Sequence, residues 1–165
     1  MGFQSTVRTR QAAGIVGELA FDGPQRAEPN TINSVDAANN VIGRAFTALA
    51  AIDGFVEAGG TGAFAGILVN PLVYATSGTL DGALAPTLVL PNNTEAEFLK
   101  MGTILVELTT AAAIGDDVHF IQATGELLAV AAGTAPAVGN SVVPSAKVVR
   151  QNTDGAGLAY IQITE

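Results

Sequence analysis

At 165 residues the chain is sized for one domain, and its 15 acidic against 7 basic side chains give a formal net charge of -8, which excludes a phosphate-neutralising nucleic-acid binder. Charged residues are only 13% of the total, against roughly 25% in ordinary soluble domains, and mean hydropathy is +0.40, so either a membrane or partners must cover a neutral surface. The absence of cysteine removes disulfides and thiolate metal sites, leaving packing and assembly to supply stability.

In chain order, the first forty residues read as an extended N-terminal arm, residues 1–40, punctuated by Gly14, Gly17, Gly23, Pro24 and Pro29. It has too few spaced apolar residues for an amphipathic helix and too many breakers for a long strand, so it is expected to lie across a neighbour. Ile15, Val16, Leu19 and Phe21 are its candidate apolar anchors, with Arg8, Arg10, Glu18 and Arg26 orienting them. Packing of the same anchors on the chain's own body is the competing reading. A secretory signal is not expected, because Arg8 and Arg10 lead into a glycine-broken segment that carries Glu18. Deleting residues 1–28 should abolish contact with the neighbour while leaving a folded core.

Residues 41–165 read as a single β-rich domain. Short apolar and β-branched runs alternate with Gly, Asn, Asp and Pro, placing strands near Val41–Leu49, Gly54–Ala58, Phe64–Val69, Thr87–Leu90, Thr103–Leu108, Asp117–Gln122, Leu127–Val130, Ala146–Gln151 and Leu158–Thr164. Asp53-Gly54, Asp81-Gly82, Thr124-Gly125 and Asp154-Gly155 each offer a glycine where a tight turn needs positive φ. One helix is expected: Thr94 followed by Glu97 matches a capping box and Gly102 supplies a stop, so Glu95–Lys100 reads as one or two turns. The fold class is then mainly β, a small β-barrel or sandwich with one short helix and the N-terminal arm. The longest apolar runs, Ala83–Leu90 and Ala63–Val69, fall well short of the roughly 18 to 20 residues of a spanning helix, so no membrane association is expected.

Chemistry-bearing patterns are sparse. Gly60–Ala65 fits G-x-G-x-x-A with Asp81 downstream, yet Asn70-Pro71 interrupts the helix that a dinucleotide would need, so no cofactor is expected. Asp116, Asp117 and His119 have metal-ligand side chains but are too few for a closed site, and a turn entering a strand explains them; no metal is expected. His119 is the only histidine, no serine sits in a nucleophile elbow, and Glu95 and Glu97 suit capping better than acid–base work. The chain reads as a non-enzyme without catalytic residues.

Several ordered segments carry a resemblance. Val41–Phe46, Glu57–Gly60, Phe64–Pro71 and Tyr74 are followed by Pro91–Phe98, Met101-Gly102, Ala113–Asp116, Thr124–Leu127 and Ala159–Ile163. In that order and spacing the chain resembles the structural cement, or capsid decoration, proteins of tailed bacteriophages, from about Gln11 to Thr164. The resemblance implies a virion protein on the outer capsid surface, made in the host bacterial cytoplasm, that bridges neighbouring major capsid protein subunits. It implies a homo-oligomer, a homotrimer or alternatively a homodimer, and no catalytic, cofactor or metal residues. Two other readings stay open: a receptor- or glycan-binding β module on the virion, for which the chain lacks tryptophan and has only Tyr74 and Tyr160, and a tail or baseplate component.

Overall fold

The computed structural model describes residues 14–20, 23–70, 89–151 and 157–164. Among them nine strands form: β1 (Arg26–Ile32), β2 (Ala45–Ala48), β3 (Phe55–Ala58), β4 (Phe64–Leu68), β5 (Glu95–Leu108), β6 (Asp117–Ile121), β7 (Leu127–Val130), β8 (Asn140–Gln151) and β9 (Gly157–Ile163). They make one sheet in the order β1-β3-β2-β4-β5-β7-β6-β8-β9, and both of its ends return to pair with β5. The strands therefore close into two five-membered rings that share β5. Ring one takes the first half of β5, where Glu95 to Met101 face β1; ring two takes the second half, where Gly102 to Leu108 face β9. Closure removes the long unpaired edges on which sheets aggregate.

Alternation of side chains fills two cores from the strands between them. Phe46, Leu68 and Phe98 point into ring one with Ile32, Val56 and Leu90. Their chain neighbours Ala45, Ile67 and Leu99 join Ile104, Val118, Phe120 and Ile161 in the core of ring two. β2, β4 and β5 are thus covered on both faces, which explains why β4 reads as a near-continuous apolar run.

The rings are also clasped at their turns. Ala45 N–H donates to the Gly125 carbonyl at 2.9 Å, and Gly60 N–H donates to the Gln122 carbonyl at 2.7 Å. A Cβ on Gly59 would lie 2.3 Å from that Gln122 oxygen, so the two backbones meet only because the residue is glycine. The Gly60–Ala65 stretch is consequently a loop packed on β2 that leads directly into β4, with no helix after it.

The mainly β expectation is met, while the expected helix is not. Glu95–Lys100 is the first half of β5, and the only helical element among the described residues is a 3-10 turn at Ala37–Asn39 capped by Asp36. Thr94 is not a cap: its carbonyl accepts Ile32 N–H at 2.9 Å, extending the β1–β5 ladder. Backbone partners on both sides of β5 override a local capping signal of about 1 kcal/mol. Residues 26–32 of the expected extended arm form β1 within this same sheet. Pro29 is tolerated there because Glu28 and Asn30 make the hydrogen-bonded pairs with β5, leaving the proline nitrogen on the outer side. β8 starts earlier than Ala146, and Pro144 with Ser145 (φ 51) sits in a register shift of its pairing with β6, between Val142 and Lys147. The expected turns at Asp81-Gly82 and Asp154-Gly155 lie outside the described residues; those at Gly54 and Gly125 have φ 77 and 75.

Candidate interaction surface

Residues 14–20 form a strap across the outside of β5 where β4 and β7 diverge. Gly17 N–H donates to the Leu105 carbonyl (2.7 Å), Leu105 N–H to the Glu18 carbonyl (2.9 Å) and Ala20 N–H to the Thr103 carbonyl (2.9 Å), while Asn70 N–H donates to the Gly17 carbonyl (2.9 Å). Leu19 is bridged to Ile104 in antiparallel register. The turn leading in is closed by Glu18, whose Oε2 accepts Ile15 N–H at 3.2 Å. Gly17 sits there at φ 81, and a Cβ on this backbone would strike Ile42 at 2.1 Å, so both the conformation and the space call for glycine.

This placement divides the candidate anchors. Val16 is buried at 5% exposure beside Ile42 and Gly43, so its apolar surface is already covered by its own chain. Ile15 and Leu19 keep 40% and 36% exposure and remain available. Arg26 lies on the opposite side of β5, at the start of β1, 4.0 Å from Glu28. Arg8, Arg10 and Phe21 lie outside the described residues. The structure thus gathers Ile15, Val16, Glu18 and Leu19 on one strap and separates Arg26 from them.

Several charged side chains elsewhere pair internally. Arg44 donates to Asn39 Oδ1 (2.8 Å), the Thr124 carbonyl (3.2 Å) and Glu126 Oε1 (2.7 Å), joining the 3-10 turn to ring two. Lys100 pairs with Glu28, and Lys147 with Asp117. Asp117 also accepts Gly133 N–H at 2.7 Å. Asp116 closes a turn by accepting Ala113 N–H at 2.8 Å, and His119 is buried on β6, so the expected structural role of this cluster is what the geometry provides. No group of three or more metal-ligating side chains gathers among the described residues.

Those ion pairs set an acid dependence. Hydrogen bonding from Lys147, then from Gly133, holds the Asp117 carboxyl below its usual range, and Lys100 does the same for Glu28. A carboxyl depressed in the folded state contributes stability above its unfolded pKa of about 4 and loses it as pH falls through the folded value. The thermal midpoint should therefore hold level from pH 8 to 5 and fall below about pH 4. Asp117→Asn should shrink that fall; an undiminished fall in the variant would show that Asp117 contributes none of it.

Sequence reasoning missed one prominent surface. β7 and β8 flank β6 and both run antiparallel to it, so the connection 131–139 must travel the length of β6 from the Asp117–Val130 pair to the Ile121–Asn140 pair. All nine of its residues are exposed. The signal was present as a run of small uncharged residues, Ala131–Gly139, longer than a hairpin loop requires.

Two closed β rings, with exposed apolar side chains at the strap and loops, define a mainly β protein. The chain belongs to the phage structural cement protein family (E217 gp24/Pam3 gp6), whose profile matches residues 3–164. A solved structure, "The capsid of Myoviridae Phage XM1", is similar in fold at TM-score 0.66 and 18% identity, covering 100% of this chain and 99% of that one. Curated proteins gave no match. As a member of its family the chain is a virion structural protein that stabilises the phage capsid. Among the described residues no helix is long and apolar enough to cross a membrane.

Proposed function

We propose that the chain cements the shell by contact alone, without catalysis: its N-terminal residues grip major capsid protein subunits or sister copies, and a homotrimer, alternatively a homodimer, multiplies those grips. The observation that supports this reading is the strap. Its three backbone bonds to β5, with Val16 buried, fix residues 14–20 on the chain's own body. The preceding thirteen residues, with Arg8 and Arg10, therefore start from an anchored point, which holds them at high effective concentration near a neighbouring subunit. Exposed Ile15 and Leu19 supply apolar area beside that point.

The strap also changes which truncation tests the idea. Removing residues 1–28 would delete the strap and cut β1 at Glu28, so the expected folded core would not survive intact. Removing residues 1–13 leaves every described contact in place. That shorter deletion should lower occupancy on capsid shells at least tenfold in a sedimentation assay. Removing residues 1–20 should in addition cost about 2 kcal/mol, chiefly the burial of Val16. Full occupancy by the 14–165 protein would sink the grip, and light scattering of the free protein would distinguish a threefold from a twofold mass.

A further inference from the structure

Resting on the cement reading above, we infer that the crossover 131–139 and the neighbouring turn 111–115 form one uncharged platform that seats against the major capsid protein. The two segments are joined at Asp117. Its carboxylate accepts Gly133 N–H from the crossover, and it directly follows the turn in which Ala113 N–H binds Asp116. From there the crossover runs beside β6, five residues and so about 17 Å long. Thirteen residues of the platform are exposed, among them Ile114 at 75% and Val138 at 106%. None of the thirteen carries an ionisable side chain, in a chain of net charge -8, and the charged side chains between the two segments, Asp117 and Lys147, pair with each other.

The platform is held in shape before any partner arrives. Gly115 N–H donates to the Val148 carbonyl (2.7 Å), Thr134 N–H to Ala131 (3.1 Å), Asn140 N–H to Ala137 (3.0 Å) and Gln122 N–H to Gly139 (2.8 Å). A loop fixed in this way loses little conformational freedom on docking, which favours binding. Its small side chains permit close approach to a broad, neutral protein surface.

Size chooses the occupant. Stable two-body interfaces use about 20 to 30 residues a side, so thirteen are too few by themselves to hold two free copies together. A capsid lattice removes that shortfall, because contacts made by several linked copies multiply. Charged residues at this surface would steer encounter but would cost desolvation on seating, and the thirteen exposed residues include none.

The experiment compares Ile114→Glu and Val138→Glu with Ile52→Glu, the same chemistry on the exposed β2–β3 turn of ring one, where Ile52 is 47% exposed. Each purified protein is mixed with capsid shells lacking the cement protein and sedimented, and its free mass is measured by light scattering. Both platform variants should lose at least tenfold in occupancy with unchanged free mass and thermal midpoint, while Ile52→Glu binds as the parent does. Parent-like binding by the platform variants overturns the assignment, as does a fall in their free mass, which would make a second copy the occupant. Failure of the parent protein itself to bind shells would instead remove the cement reading on which the assignment rests. Because both side chains stand in solvent, folding failure does not obscure the result.

Discussion

Gly59→Ala is expected to lower the thermal midpoint by roughly 6 to 12 °C, corresponding to about 3 kcal/mol in a domain of this size. Two costs combine. The residue sits at φ 70, where a side chain adds strain of about 1 to 2 kcal/mol. Its Cβ would also stand 2.3 Å from the Gln122 oxygen and 2.9 Å from the Gly125 nitrogen. Both are backbone atoms, unable to swing aside as a long side chain could. Relief requires the two rings to separate at their clasp, stretching the Gly60–Gln122 and Ala45–Gly125 hydrogen bonds. Gly54→Ala provides the contrast: it shares the positive φ, at 77, but nothing lies within 4 Å of its Cβ, so only the strain should appear. Equal midpoints for the two variants, measured by calorimetry, would refute the close approach at Gly59.

Phe98→Ala should cost about 3 to 5 kcal/mol, the usual range for emptying a large aromatic site in a packed core. Phe98 has no exposure and meets Phe46 at 5.0 Å between ring centroids, tilted by 59°. It also stands on the strand that both rings share. Loss of its packing in ring one therefore loosens the segment that continues into ring two, where Ile161 is equally buried opposite Ile104. Phe98→Ala and Ile161→Ala should consequently shift one common unfolding transition in urea, with the same midpoint by fluorescence and by circular dichroism. Two separated transitions, each moved by only one of the variants, would show that the rings fold independently and that β5 does not couple them.

These expectations depend on features that differ greatly in how far they could be read from residues alone. Phe64 to Leu68 and Leu127 to Val130 were legible because their apolar runs are short and bounded by turn residues. Gly54 and Gly125 were legible because a tight turn at positive φ leaves a residue-level mark. β1 was not, since Glu28, Pro29 and Asn30 disfavour strands locally and become one only by pairing with a distant β5. The helix expected at Glu95–Lys100 failed for the same reason, with Thr94 drawn into that ladder. Of the interface residues, the exposure of Ile15 and Leu19 and the burial of Val16 could not be separated in advance, because all three are apolar residues in one short glycine-bounded stretch.

Composition, turn glycines and the order of its motifs were enough to read a mainly β, sparsely charged, cysteine-free chain of the phage cement family. The sharing of β5 by two rings, the strapping of residues 14–20 to the chain's own body and the uncharged crossover along β6 emerge only from the folded arrangement. The division has a physical cause. Turn chemistry and side-chain composition act within a few residues, whereas strand partnership is settled by backbone hydrogen bonds and burial between segments far apart in the chain, and those long-range terms outweigh local preference wherever the two conflict.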